Sequence, residues 1–118
     1  MNSDRIKGNL IIRKSFDFAL AIIEYAKNIE KEKNYVIANQ LLKSGTSIGA
    51  NCWEAQNCES KADFIHKMKI SAKEAEETQY WLLLCKHANL HNCDALIDEI
   101  ETIQKILNKI IHSSKQKK

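Results

Sequence analysis

The sequence places two cysteines and two histidines close together, and these are the side chains that bind zinc most often. They are Cys85, His87, His91 and Cys93. His87 and His91 lie about one helical turn apart, but Cys85 and His87 would point about 200° apart and cannot share an ion while a helix continues. We therefore interpret the histidines as solvated side chains at a helix end and predict no metal site.

A carboxylate-bridged dimetal site is the enzyme centre most typical of helical bundles, and it requires two Glu-x-x-His pairs with further glutamates. The sequence offers one related pair, Asp63 and His66, with aspartate in place of glutamate. Serine, cysteine and histidine are present, but no nucleophile elbow or glycine-rich loop presents them. We therefore predict that the protein is not an enzyme and needs no cofactor.

Gly45 and Gly49 lie four positions apart among serine, threonine and alanine. Each glycine costs a helix about 1 kcal/mol relative to alanine. Keeping both predicts a very close approach of a second helix, as in small-xxx-small contacts. Asn51 and Glu54 follow on the same segment, and we interpret them as a polar contact between helices or subunits rather than a ligand site.

The composition favours long helices in one soluble domain. The 118 residues include no proline and three glycines, so helix breakers are few. No apolar run approaches the roughly 18 residues of a membrane span, and the first residues lack a signal-peptide hydrophobic region. We expect a cytoplasmic protein whose four cysteines stay reduced and serve as small buried hydrophobes.

Apolar residues repeat at alternating spacings of three and four, which is the helical period. The predicted helices cover residues of about 15–32, 36–57, 61–89 and 93–112. Ser15 is the expected N-cap of the first helix after an extended lead-in, and Ser60 with Asp63 marks the start of the third. Residues 113–118 are expected to be a disordered basic tail. Four such helices with short connections predict an all-α, up-and-down antiparallel four-helix bundle.

The net charge of +3 is mild, but lysines concentrate at the end of the chain. They are Lys105, Lys109, Lys115, Lys117 and Lys118. Such a cluster is a candidate contact for the phosphates of a nucleic acid, and it is equally typical of a solubilising tail.

Several ordered segments resemble the small four-helix bundle proteins encoded within intervening sequences of bacterial 23S rRNA genes, the S23 ribosomal protein-like family. The segments are 42–51, 54–55, 60–65, 73–75, 77–78 and 80–82, with shorter similarity at 14–15 and 18–19. The positions that carry the family signature are Ser44, Gly45, Ser47, Gly49, Asn51 and Glu54. The match extends over most of the chain.

The resemblance implies assembly into a ring-like homopentamer, for which wide apolar faces on the first and third helices are suited. It also implies a relationship to the accessory variability determinant of diversity-generating retroelements, which binds a reverse transcriptase and nucleic acid. Family members often carry arginine where this chain has Lys43, so Lys43 joins the candidate nucleic-acid contacts, whereas Glu76 reverses the sign of another family arginine. We expect a binding protein for RNA or for a nucleic-acid-processing protein. A structural adaptor that binds only proteins is the alternative.

Overall fold

Apolar side chains at helical spacing produce four α-helices and no β-strand in residues 9–116, the part of the chain that the computed structural model describes. The all-α prediction is therefore confirmed. The helices are α1 (Leu10–Lys31), α2 (Tyr35–Ala55), α3 (Lys61–His87) and α4 (Asp94–Gln116). Lys33 and Asn89, in the turns after α1 and α3, adopt left-handed backbone conformations with φ of 70° and 58°.

Helix α1 begins at Leu10, and the predicted N-cap at Ser15 is wrong. The side chain of Asn9 caps the helix by accepting a hydrogen bond from the Ile12 amide at 3.4 Å. Ser15 lies inside the helix, where it is 1% exposed and its hydroxyl donates to the Ile12 carbonyl at 3.2 Å. The helix extends further because Ile12 is buried in the core, which an extended lead-in would not achieve. Residues 1–8 of that lead-in lie outside the described range.

Helix α4 is longer than predicted, because residues 113–116 are helical rather than disordered. Ile110 and Ile111 pack against the core, and no glycine or proline follows to end the helix. Lysine and glutamine are also good helix formers. Residues 117–118 of the predicted tail lie outside the described range.

Each helix runs antiparallel to its neighbours in a four-helix bundle. Gly45 packs against Ile22 and Gly49 against Ser15, so residue numbers rise along α1 as they fall along α2. Ser60 caps α3 as predicted, by accepting from the Asp63 amide at 3.1 Å. The core consists of buried side chains from all four helices, with Phe18, Leu41, Met68, Leu82, Ile100 and Leu107 among the largest.

The helices of the bundle do not all end at the same level, because α4 extends past the start of α1. Phe18 and Ala21 of α1 lie beside Leu96 and Glu99 of α4, and the Tyr25 hydroxyl donates to the carbonyl of His91. By this antiparallel register α4 continues about three turns past the start of α1. Within residues 9–116, those last turns pack against α3 alone.

Candidate interaction surfaces

The glycine segment lies in the contact between α1 and α2. A Cβ atom at Gly45 would lie 2.9 Å from Cγ2 of Ile22, and one at Gly49 would lie 3.3 Å from Oγ of Ser15. The first distance is shorter than real Cβ atoms show, so Ile22 would have to move. Of the two glycines, Gly45 therefore has the less space, because the Ile22 side chain packs against it, whereas Gly49 faces the hydroxyl and backbone of Ser15.

Buried hydroxyls join α2 to α3 behind this contact. Thr78 Oγ1 lies 2.9 Å from Ser44 Oγ, and the Ser71 hydroxyl donates to the Ile48 carbonyl at 2.9 Å. Cys52 Sγ lies 3.2 Å from Ser71 Oγ. Among the described residues, every buried side-chain nitrogen or oxygen atom has a hydrogen-bond partner. This satisfied network is a packing arrangement rather than a reactive site.

Of the remaining signature residues, Ser47 and Asn51 are half-buried and Glu54 is exposed. Ser47 and Asn51 bond back to their own helix: the Ser47 hydroxyl donates to Lys43 O at 2.6 Å, and Asn51 Nδ2 donates to Ser47 O at 2.8 Å. Glu54 accepts from Nζ of Lys67 on α3 at 2.7 Å and raises the pKa of that lysine. Exposed ion pairs of this kind stabilise proteins little.

An apolar groove runs along the outside of the contact between α1 and α2. It encloses about 240 Å³ and is lined by Ile12, Ser15, Phe16, Ala19, Thr46, Gly49, Ala50 and Trp53, without a charged residue. Leu20 and Ile23 continue its α1 side and are 55% and 36% exposed. Contiguous exposed apolar surface makes the groove a candidate interaction site.

A second apolar surface, the α3 ridge, consists of Tyr80, Trp81, Leu83 and Leu84. Tyr80 is 57% exposed, and its ring meets that of Trp81 edge-on with centroids 5.1 Å apart. The Trp81 indole donates to Glu77 Oε2 at 3.1 Å, which fixes the orientation of the pair. The groove is concave and built on small residues, whereas the ridge projects from one helix.

The cysteines near the third turn face the bundle interior. Cys85 and Cys93 are buried near the Tyr25 hydroxyl, and burial raises the pKa of all three groups. The thiols are therefore held protonated. Residues 9–116 contain no group of three or more His, Cys, Asp or Glu side chains placed to hold a metal ion.

Of the predicted nucleic-acid contacts, Lys105, Lys109 and Lys115 lie exposed along α4. Lys43 lies on α2 near Glu74; burial and Glu77 raise the pKa of that carboxyl, and Lys43 lowers it in part. The charge of Lys43 is thus opposed by neighbouring acids. Lys117 and Lys118 lie outside the described range.

Sequence reasoning missed basic residues on α3 that face the end of α4. His66, Lys69 and Lys73 line a cleft of about 540 Å³ together with Ile70, Ala72, Asn108 and Ile111. Their spacing of three and four positions places them along one side of a helix and was visible in the sequence. The cleft lies between α3 and α4, and the groove lies between α1 and α2, so the two are on opposite sides of the bundle.

None of the helices in the described range is long and apolar enough to cross a membrane.

Comparison with known proteins identifies a matching family and a solved structure with a similar fold. A family model described as 23S rRNA-intervening sequence protein matches residues 7–109. A crystal structure of a protein of unknown function from the S23 ribosomal protein family of Bacteroides thetaiotaomicron VPI-5482 is 40% identical, with a TM-score of 0.80. The match covers 86% of this chain and 97% of that one. Among curated proteins, no match was found.

Proposed function

This chain belongs to the family of 23S rRNA-intervening sequence proteins, and we propose that it is a non-enzymatic, ring-forming homo-oligomer that binds RNA in the cytoplasm, with ribosomal RNA as the first candidate. The observation that carries RNA binding is that the chain has a basic face separate from its apolar groove. His66, Lys69 and Lys73 of α3 form a basic face along the cleft between α3 and α4, on the side of the bundle away from the apolar groove. Self-assembly through the groove would therefore leave the basic face accessible.

The proposal of a ring is supported by the two different apolar surfaces. The groove and the α3 ridge lie on different parts of one chain, and a contact between unlike surfaces is head-to-tail. Head-to-tail contacts close into rings when the rotation permits. Five copies is the number that the family resemblance implies.

Charge also favours contact of the groove with the ridge. Arg13 and Lys27 are exposed on α1, the helix that forms one wall of the groove, and Glu76 and Glu77 precede the ridge by about one turn. Opposite charges around two apolar surfaces steer them together and discourage each surface from pairing with itself.

RNA binding is tested by titrating labelled fragments of 23S rRNA with the purified protein at several salt concentrations. We expect an affinity that falls steeply with salt, because lysine contacts to phosphate release counterions. A DNA duplex of equal charge serves as the comparison for RNA preference. Absence of binding at low ionic strength would reject the RNA proposal.

The alternative, an adaptor that binds only proteins, is favoured by the exposed α3 ridge if assembly leaves it uncovered. Affinity purification from lysate with and without nuclease separates the two functions. Protein partners of an adaptor survive nuclease unchanged, whereas partners bridged by RNA are lost.

A further inference from the structure

The cleft between α3 and the last turns of α4, here called the basic cleft, is built from side chains of one charge sign. Its lining includes His66, Lys69 and Lys73, and no carboxylate lines it. Glu76 and Glu101 lie in the adjoining stretch between the same two helices, beside Lys105. The positive charges are therefore concentrated toward the end at which α4 stops.

Two lysines approach each other across the basic cleft. In the antiparallel register set by the 3.1 Å hydrogen bond between Gln104 and Gln79, Lys115 of α4 lies opposite Lys69 of α3, beside the residues that line the cleft, and its proximity lowers the pKa of the Lys69 ammonium group. An ammonium group has three donors and no acceptor, so neither lysine can satisfy the other. An anion between them would accept from both and remove the repulsion.

Neither lysine has a carboxylate partner of its own. The ion pairs in residues 9–116 join Lys67 to Glu54 and Lys86 to Asp94. Ile70 and Ile111 form apolar parts of the cleft wall. The pairing depends on the helical turn 113–116, which carries Lys115 to a position opposite Lys69.

We propose that the basic cleft is a phosphate-binding site in which Lys69 and Lys115 hold one phosphate group of an RNA backbone. Lys73 lies one turn along α3 and is placed for a second phosphate, and the side-chain amide of Asn108 supplies a further donor. This inference rests on the proposed RNA-binding function. A free polyphosphate would offer the same chemistry, and the experiment separates the two sources.

The test compares a Lys69→Gln, Lys115→Gln double variant with a Lys31→Gln, Lys33→Gln control. The control removes the same charge from exposed lysines at the opposite end of the bundle. We expect the cleft variant to bind RNA roughly tenfold or more weakly at 0.1 M salt, and the slope of log affinity against log salt to fall by roughly 0.7, the value for one phosphate contact. The control should keep the wild-type slope.

Each outcome decides a separate point. If the wild type binds RNA and the cleft variant binds it with the same affinity and slope, the cleft proposal is overturned and the RNA function stands. A Lys69→Arg, Lys115→Arg variant, which keeps the charge, should retain binding and shows that a loss is not a failure to fold.

If the wild type binds no RNA at low salt, the proposed function fails and tripolyphosphate becomes the probe. Phosphorus NMR of tripolyphosphate should then show binding to the wild type and the control but not to the cleft variant, which would identify a free polyphosphate as the source. Equal binding by all three proteins, or by none, would overturn the cleft proposal.

Discussion

At the scale of single residues, the contact of Gly45 with Ile22 explains why a helix retains a residue that disfavours helices. The missing Cβ leaves room for Ile22, which is fully buried, and Gly49 has slightly more space beside Ser15. The two glycines therefore differ in how strictly each is required, although their sequence contexts look alike.

Replacing each glycine by alanine measures this difference. Gly49→Ala should leave the free energy of unfolding unchanged or raise it by up to about 1 kcal/mol, because helix propensity improves. Gly45→Ala gains the same propensity but forces Ile22 to shift, at a cost of about 1–3 kcal/mol. Urea denaturation of both variants makes the comparison. Equal stabilities would show that close approach is not what requires Gly45.

The buried thiols predict a pH dependence of stability. Cys85 and Cys93 have an ordinary pKa of 9.0 and raised values in the folded state, so the unfolded chain loses these protons first. The contribution of the two protonated thiols to the free energy of unfolding is fully present below about pH 9. It is lost as pH rises further, at about 1.4 kcal/mol per pH unit for each proton. Urea denaturation between pH 7 and 10 should show this fall.

A Cys85→Ala, Cys93→Ala variant provides the control for that measurement. Its decline should be shallower than that of the wild type, though not absent, because burial also raises the pKa of Cys52. A decline as steep as in the wild type would assign the pH dependence to other groups.

At the scale of the helices, periodicity alone predicted four elements, but it misplaced the outer ends of α1 and α4. Ile12 becomes informative only when the neighbouring helices that bury it are known, and a single sequence does not supply those neighbours. The basic cleft was missed for the same reason. Lys69 and Lys115 are far apart in sequence, and only the α3–α4 contact brings them together.

The cap of α3 shows that local signals were sufficient where the side chain and its partner are close in sequence. Ser60→Ala should lower the free energy of unfolding by about 1 kcal/mol, because the Asp63 amide loses its acceptor. Ser60→Gly should cost only a few tenths, since glycine is tolerated at this position. Thermal denaturation of the pair provides the measurement, and equal losses would contradict the role of the hydroxyl.

At the scale of the whole molecule, the described bundle leaves two apolar surfaces exposed that no helix of the same chain covers. The groove and the α3 ridge belong to different helices, so each needs a different surface of a neighbouring copy if both are to be covered. The sequence indicated wide apolar faces on the first and third helices. It did not indicate that the first of these would form a groove with α2, because the small residues that shape the groove act only once the two helices meet.

Two single variants and their mixture test the head-to-tail contact. Ala50→Glu places a charge in the groove, and Tyr80→Glu places one on the ridge. By light scattering, each variant alone should fail to assemble, because every contact needs one groove and one ridge. A mixture of the two should form dimers but no ring, since one intact groove meets one intact ridge.

A contact between like surfaces would behave differently from this complementation. If grooves paired with grooves, Tyr80→Glu would assemble as the wild type does, and mixing would rescue nothing. Val36→Glu is the matched control, because Val36 is 74% exposed and lies outside both surfaces, so this variant should keep the wild-type mass. A monomeric wild-type protein would remove the ring and would leave the groove and the ridge available to a different protein.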